Sequence, residues 1–158
     1  MNPALYLLAF AAGGAISIQA AVNSQLANGI GGNTVVAGLV SFCFGTLSLG
    51  ILALARGGIP SAIAQLPSQP VWAFTGGLLG ASAIFCTVLL APRIGLANML
   101  ALLIAGQLLS SLVIDHFGLI GVAIRHISGV KAAGALVMLL GVLVTLFGER
   151  AIEILGQP

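Results

Sequence analysis

Charged side chains are scarce along this chain, and their scarcity excludes most soluble folds. Five basic and three acidic residues make up 5% of the sequence, whereas soluble domains carry roughly a quarter. A soluble fold must cover its surface with polar groups, yet 59% of these residues are hydrophobic. Lipid tolerates such a surface, so the composition predicts an integral membrane protein with the lipid bilayer as its surroundings. The few basic residues form no patch for a nucleic acid.

Catalytic and metal-binding patterns are also missing. The sequence has no nucleophile–base pair, phosphate-binding loop or metal-ligand spacing, so it predicts neither an enzyme nor a cofactor. Cys43 and Cys86 both lie in apolar runs, and we interpret them as small membrane-buried residues rather than a disulfide. No acidic residue lies at the centre of a span, where cation-coupled exporters commonly place one. Asp115 is the one acid beside a span.

What the sequence does contain is five long apolar runs. A bilayer core of about 30 Å takes roughly 20 helical residues, and continuous apolar runs favour helices over the alternating strands of barrels. The sequence therefore predicts an all-α membrane protein with a single five-helix domain, residues 1–158. The predicted spans cover about residues 4–27, 34–55, 71–91, 94–114 and 129–147.

The ends of the spans depend on particular residues. Pro92 and Arg93 are expected to end the third span, and residues 115–118 the fourth. Residues 149–153 are predicted to form a short polar tail. In the connector between the second and third spans, residues 61–66 are expected to form one or two helical turns at the membrane interface.

The distribution of charge gives a weak instruction for orientation. Five spans place the termini on opposite faces of the membrane, and basic residues favour the cytoplasmic face. With a cytoplasmic N-terminus, the inside holds Arg56, Arg125 and Lys131, and the outside holds Arg93 and Arg150. A bias of a single charge is typical of a chain that inserts both ways or relies on a partner.

Two sets of polar side chains lie within the spans. Gln19 and Asn23 are four residues apart and share a face of the first helix. In the fourth helix Gln107, Ser111 and Asp115 recur every four residues, drifting about 40° per step. We interpret these stripes as lining one solute cavity. The alternatives are hydrogen bonds between helices, worth about 0.6 kcal/mol each, and a solvated helix end at Asp115.

Small residues form faces on which membrane helices pack closely. The second span carries Gly38, Ser41, Gly45 and Ser48 at spacings of three and four. The fifth repeats Gly134, Gly141 and Gly148 every seven residues. These faces indicate packing within the chain or, most simply for the fifth span, a contact between subunits.

Several of these positions resemble the pattern of a known family. Its most specific part is the stretch 106–118, from Gly106-Gln107 to Asp115-His116-Phe117-Gly118. The other matching positions are Gln19, Asn23, Ser41, Phe42, Gly45, Trp72, Gly76, Gly77 and Gly80. Together they resemble the YdcZ-type family of small five-helix membrane proteins, in the drug/metabolite transporter (EamA-like) superfamily. Asn33-Thr34 departs from the proline that the family usually carries after the first turn.

The resemblance implies a function. Larger relatives have ten helices in two five-helix halves of opposite orientation. A lone five-helix chain is thus expected to be half of an antiparallel homodimer, or of a heterodimer with an oppositely oriented homologue. Such inverted repeats bind solute near the midplane and alternate its access by rocking. The resemblance implies a secondary transporter or exporter of a small organic solute in the bacterial inner membrane, with Gln19, Gln107 and Asp115 at family-like polar positions.

Two other functions remain open. A non-transporting assembly subunit would use the glycine faces equally well, although it would not need aligned polar stripes. A small channel would need a ring of charges or a carbonyl-rich filter, and neither is visible. Amides rather than a carboxylate in the first helix favour a polar, zwitterionic or neutral solute over a lipophilic cation.

Overall fold

The computed structural model describes residues 2–155, which form helices and their connections without a strand. The α-helices of this part are α1 (Pro3–Gly29), α2 (Thr34–Arg56), α3 (Ile59–Gln65), α4 (Thr75–Ile94), α5 (Leu96–Phe117) and α6 (Gly129–Leu155). Short 3-10 turns cover Leu66–Ser68, Val71–Phe74 and Leu119–Gly121. Five stretches are long and apolar enough to cross a membrane, each containing one α-helix other than the short α3. The predicted all-α membrane fold is confirmed.

Asparagine side chains begin the first two helices. The Asn2 carboxamide oxygen accepts the Ala4 N–H over 3.0 Å, and the Asn33 oxygen accepts the Val36 N–H over 3.0 Å. Each satisfies a backbone donor that has no partner within its helix. Gly31 and Gly32 precede Asn33 with positive φ angles, a conformation that glycine adopts without strain. Asn33 thus begins α2 as its N-cap.

Three helices continue past the ends expected from sequence. α4 runs through Pro92 to Ile94, α5 includes residues 115–117, and α6 includes residues 149–153. Pro92 lies so close to the end of α4 that its missing N–H removes one hydrogen bond from the last turn only. Charged and polar side chains end the apolar span but not the helix, because glutamate and arginine favour helical backbone.

The first compact unit, Met1–Arg93, is centred on small side chains. α1 packs beside α2, and alanines let the two backbones approach closely. α4 joins them through a core of Ala27, Ala37 and Val88, flanked by Leu26 and Ile84. A side chain at Gly38 would place its Cβ 3.4 Å from Ile84 Cγ2. Gly38 therefore serves packing within the chain.

The second compact unit, Ile94–Pro158, is built on the α5–α6 pair. Ala135 and Val142 lie seven residues apart on the buried side of α6. Gly118 ends α5 in the left-handed conformation, with its N–H bonded to the Ile114 carbonyl. The chain then folds back, and the Arg125 N–H donates to the Asp115 carbonyl over 2.7 Å. We call residues 118–128 the return connector.

Candidate functional site

Three polar side chains, Gln19, Asn23 and Ser41, meet between α1 and α2; we call them the amide cluster. Asn23 Nδ2 donates to Ser41 Oγ over 3.2 Å, and Gln19 Nε2 donates to the same oxygen over 3.4 Å. Asn23 is only 5% exposed, Ser41 is half-buried and Gln19 is exposed. The cluster therefore runs from the interior of the helix pair to its surface.

The amide cluster lines a groove of about 600 Å³ between the two helices. The remaining lining residues are apolar: Ala15, Ile18, Val22, Leu26, Val40 and Phe44. No charged side chain is among them. A groove of this volume, mostly apolar with a few convergent polar atoms, has the usual character of a site for a small organic molecule.

Ser41 is the member of this site that was not predicted from the sequence to form hydrogen bonds with α1. Its small size placed it on the packing face of the second span. Ser48, on the same helix, donates its hydroxyl to the Phe44 carbonyl of α2. The Ser41 oxygen instead accepts hydrogen bonds from two amide groups of α1. A usable signal was present, since Asn23 and Ser41 are equidistant in sequence from Gly32 in the turn. Antiparallel helices joined by a tight turn place such residues at the same depth.

The predicted stripe on α5 is Gln107, Ser111 and Asp115, and all three residues are helical. Gln107 is exposed, and its amide makes no hydrogen bond with residues 2–155. Ser111 turns its hydroxyl back to the Leu108 carbonyl over 2.9 Å. The half-buried Asp115 forms no ion pair within the described residues. Among the described residues, the Gln107 amide and the Asp115 carboxylate therefore keep their hydrogen-bonding capacity, whereas the Ser111 hydroxyl is occupied.

The exposed Gln107 side chain lies on a membrane-crossing helix, so its environment differs from that of a glutamine on a water-exposed surface. It follows the buried Ala105 by two residues, which places it on the opposite side of α5. A polar group against hydrocarbon without a partner costs roughly 2–7 kcal/mol. Within its own unit Gln107 has no such partner, and it thus requires water, a solute or a further protein surface to satisfy it.

The histidines next to the stripe have a structural arrangement. His116 Nδ1 accepts the Ile127 N–H over 3.2 Å, so it ties the return connector to the end of α5. The His126 ring lies edge-on to His116, with centroids 5.3 Å apart. No three histidine, cysteine, aspartate or glutamate side chains of residues 2–155 gather as metal ligands would. The His116-Phe117-Gly118 part of the family-like stretch thus shapes a helix end.

Five membrane-length helices and an apolar groove with buried amide atoms define a polytopic α-helical membrane protein. Residues 4–144 match the sequence profile of the family described as "Putative inner membrane exporter, YdcZ". Since this covers most of the chain, the protein belongs to that family, and the resemblance seen in the sequence is confirmed. It is accordingly a multi-pass inner-membrane protein, and the description of its family is that of an exporter. No curated protein and no solved structure matches the chain.

Proposed function

We propose that this chain is one half of a secondary exporter for a small organic solute in the bacterial inner membrane. The observation that carries the proposal is the groove between α1 and α2, where Asn23 and Ser41 hold hydrogen-bonding atoms among apolar side chains. Placing polar atoms inside a membrane costs free energy, so polar residues within spans usually have a functional role. The family description supports export as the direction of transport.

The proposed mechanism is alternating access in an antiparallel dimer. Two oppositely oriented copies rock about a midplane site, as inverted repeats do in larger transporters. An odd number of spans and a basic-residue bias of a single charge support insertion in both orientations. The exposed amide of Gln107 supports a partner chain, because it needs a polar environment that its own unit does not provide.

The glycine face of α6 is our proposed subunit contact. A Cβ added at Gly134 or Gly141 would meet no atom within 4 Å, and at Gly148 only Val144 of the same helix. Gly134 and Gly141 each precede a buried residue of α6, and thus lie about 100° around the helix from its buried side. A face of open glycines allows another helix to approach closely.

Replacing Gln107 with leucine or Asp115 with asparagine is expected to reduce protein-dependent solute flux. Gln107 would lose its hydrogen bond to the solute, and Asp115 would lose its carboxyl group. Purified protein in liposomes would be assayed for flux of radiolabelled uridine, leucine and benzoate. The control is Gln69→Leu, because Gln69 lies in the connector before α4. Flux equal to the unsubstituted protein in both variants would remove these residues from the pathway.

Cysteines placed at Asn2 and Glu153 are expected to react with a membrane-impermeant label from both faces of the inner membrane. A chain inserted in two orientations presents each terminus on both sides. Cys43 and Cys86 would first be replaced by alanine, and each new cysteine would be labelled separately in intact and in permeabilised cells.

In the same membranes Gly141→Ile is expected to reduce the amount of dimer captured by chemical cross-linking. Its branched side chain would separate the two α6 helices at the proposed contact. Gly50→Ile on α2, also in open space, is the matched control. Labelling of each terminus from one face alone would contradict an antiparallel homodimer and favour a different, oppositely inserted partner. A dimer unaffected by Gly141→Ile would remove the α6 face from the interface.

A further inference from the structure

The hydrogen-bonding capacity of the amide cluster is only partly used among residues 2–155. Ser41 Oγ accepts from both amide nitrogens, and a hydroxyl oxygen has two lone pairs and one proton. Its acceptor capacity is therefore full. The carbonyl oxygens of Gln19 and Asn23 accept no hydrogen bond from residues 2–155. Gln19 is an exposed residue. No fully buried N or O atom lacks a partner among the side chains of the less exposed residues described, so the Asn23 oxygen is not fully buried.

At least one free carbonyl oxygen remains whichever way each amide is turned. Ser41 carries a single hydroxyl proton, so it can donate to one amide oxygen at most. With both amides bonded to Ser41, at least one of them must therefore use its nitrogen. The carbonyl oxygen of that amide then faces away from Ser41. In the arrangement observed, both Gln19 and Asn23 do so. Each amide nitrogen also keeps one unused N–H, so the cluster offers two free acceptors beside these donors.

The surroundings of the cluster exclude charge of either sign. All three acidic residues of the chain, Asp115, Glu149 and Glu153, lie outside the first unit. An ammonium group in the groove would thus find carbonyl oxygens but no carboxylate within that unit. An anion would face carbonyl oxygens without a counter-charge among the lining residues. Removing an unpaired charge from water is far more costly than removing a neutral polar group.

Resting on the transport function proposed above, we infer that the groove selects uncharged solutes that donate hydrogen bonds and carry an apolar part. Primary amides have this chemistry, whereas carboxylates and esters of the same shape lack the donors. Ser41 contributes to the selection by accepting one N–H of each amide, so that both carbonyl oxygens face away from Ser41 and stay free for the solute. The apolar part of the solute lies along Val22 and Phe44, which line the same groove.

The selection can be measured with three probes of one shape: 3-phenylpropanamide, methyl 3-phenylpropanoate and the 3-phenylpropanoate anion. Dissociation constants would be obtained by ligand-observed NMR on the full-length protein in nanodiscs. The primary amide is expected to bind roughly tenfold more tightly than either analogue, since each leaves an acceptor of the cluster unpaired. Equal or tighter binding of the ester or the carboxylate would overturn the selection.

Substitution of Ser41 separates its role from that of groove shape. Ser41→Ala frees both amides to turn their N–H groups toward the solute, so the preference for amide over carboxylate is expected to fall by about tenfold. Ser48→Ala is the matched control and should keep the original order, because the Ser48 hydroxyl bonds within α2. An unchanged preference in Ser41→Ala would contradict its role.

Failure of this inference is distinguishable from failure of the proposed function. If all three probes bind equally and Asn23→Leu abolishes their binding, the groove is a solute site without the selection inferred here. If no probe binds, or if binding is unaffected by Asn23→Leu, both the selection and the groove as a solute site are overturned.

Discussion

Gly118→Ala is expected to destabilise the folded protein by about 2 kcal/mol or more, or to prevent its accumulation in the membrane. Gly118 has φ +62, where a Cβ costs roughly 1–2 kcal/mol. That Cβ would also lie 2.5 Å from Ile124 Cγ1 and 3.2 Å from the Val122 carbonyl oxygen. Forcing atoms apart in packed structure typically costs about 1–3 kcal/mol more. The measurement is the thermal unfolding midpoint of the detergent-purified protein.

Gly121→Ala separates the two contributions. Gly121 lies in the same return connector with φ +79, yet a Cβ there would meet no atom within 4 Å. It should show the conformational cost alone, and hence the smaller decrease in midpoint. Ile124→Ala removes the atom nearest to the new Cβ, so adding it to Gly118→Ala should restore part of the loss. Equal decreases for Gly118→Ala and Gly121→Ala would show that the connector does not pack against α5 as described.

The return connector also shows why part of the fold could not be read from sequence. Residues 119–124 are apolar but too short to cross a bilayer, so composition indicates only an interfacial segment. The observed path depends on left-handed backbone at Gly118 and Ile120, and on the Arg125 N–H and the Asp115 carbonyl. Backbone hydrogen bonds of this kind leave no periodic pattern in side-chain type.

The membrane-crossing helices, by contrast, were predictable because lipid imposes a simple requirement. Backbone groups without water must bond within the segment, so a long apolar run is helical whatever its neighbours are. The same reasoning does not locate helix ends. Pro92 was expected to end the third span, yet α4 continues to Ile94, since hydropathy reports where lipid ends rather than where helical hydrogen bonding ends.

Prediction of the candidate site was similarly uneven. The spacing of Gln19 and Asn23 was sufficient to place them on one face, because helical periodicity is a local property. Their shared partner, Ser41, depends on how α1 and α2 pair. Gln107, Ser111 and Asp115 follow one side of α5 as expected, but their spacing could not reveal that the Ser111 hydroxyl bonds within its own helix. Their role in a solute pathway remains a proposal.

Asn23→Leu is expected to abolish most solute binding and flux while leaving the fold nearly unchanged. Hydrogen bonds between membrane helices contribute only about 0.6 kcal/mol on average, and leucine supplies apolar contacts in their place. A solute donor left without its acceptor loses roughly 1–3 kcal/mol, a decrease in affinity of roughly tenfold to a hundredfold. Asn23→Leu should therefore reduce solute binding and flux strongly while changing the stability of the fold only slightly.

Gln25→Leu is the matched control for Asn23→Leu. Gln25 is an exposed amide of the same helix, two residues beyond Asn23 and outside the groove. It undergoes the same chemical change without touching the proposed solute, so its flux and its affinity for 3-phenylpropanamide should remain at the original level. If Asn23→Leu instead lowers the unfolding midpoint strongly and keeps the affinity of the remaining folded protein, Asn23 serves helix pairing. The groove would then not be the solute site, and the exposed amide of Gln107 would be the next position at which to test transport.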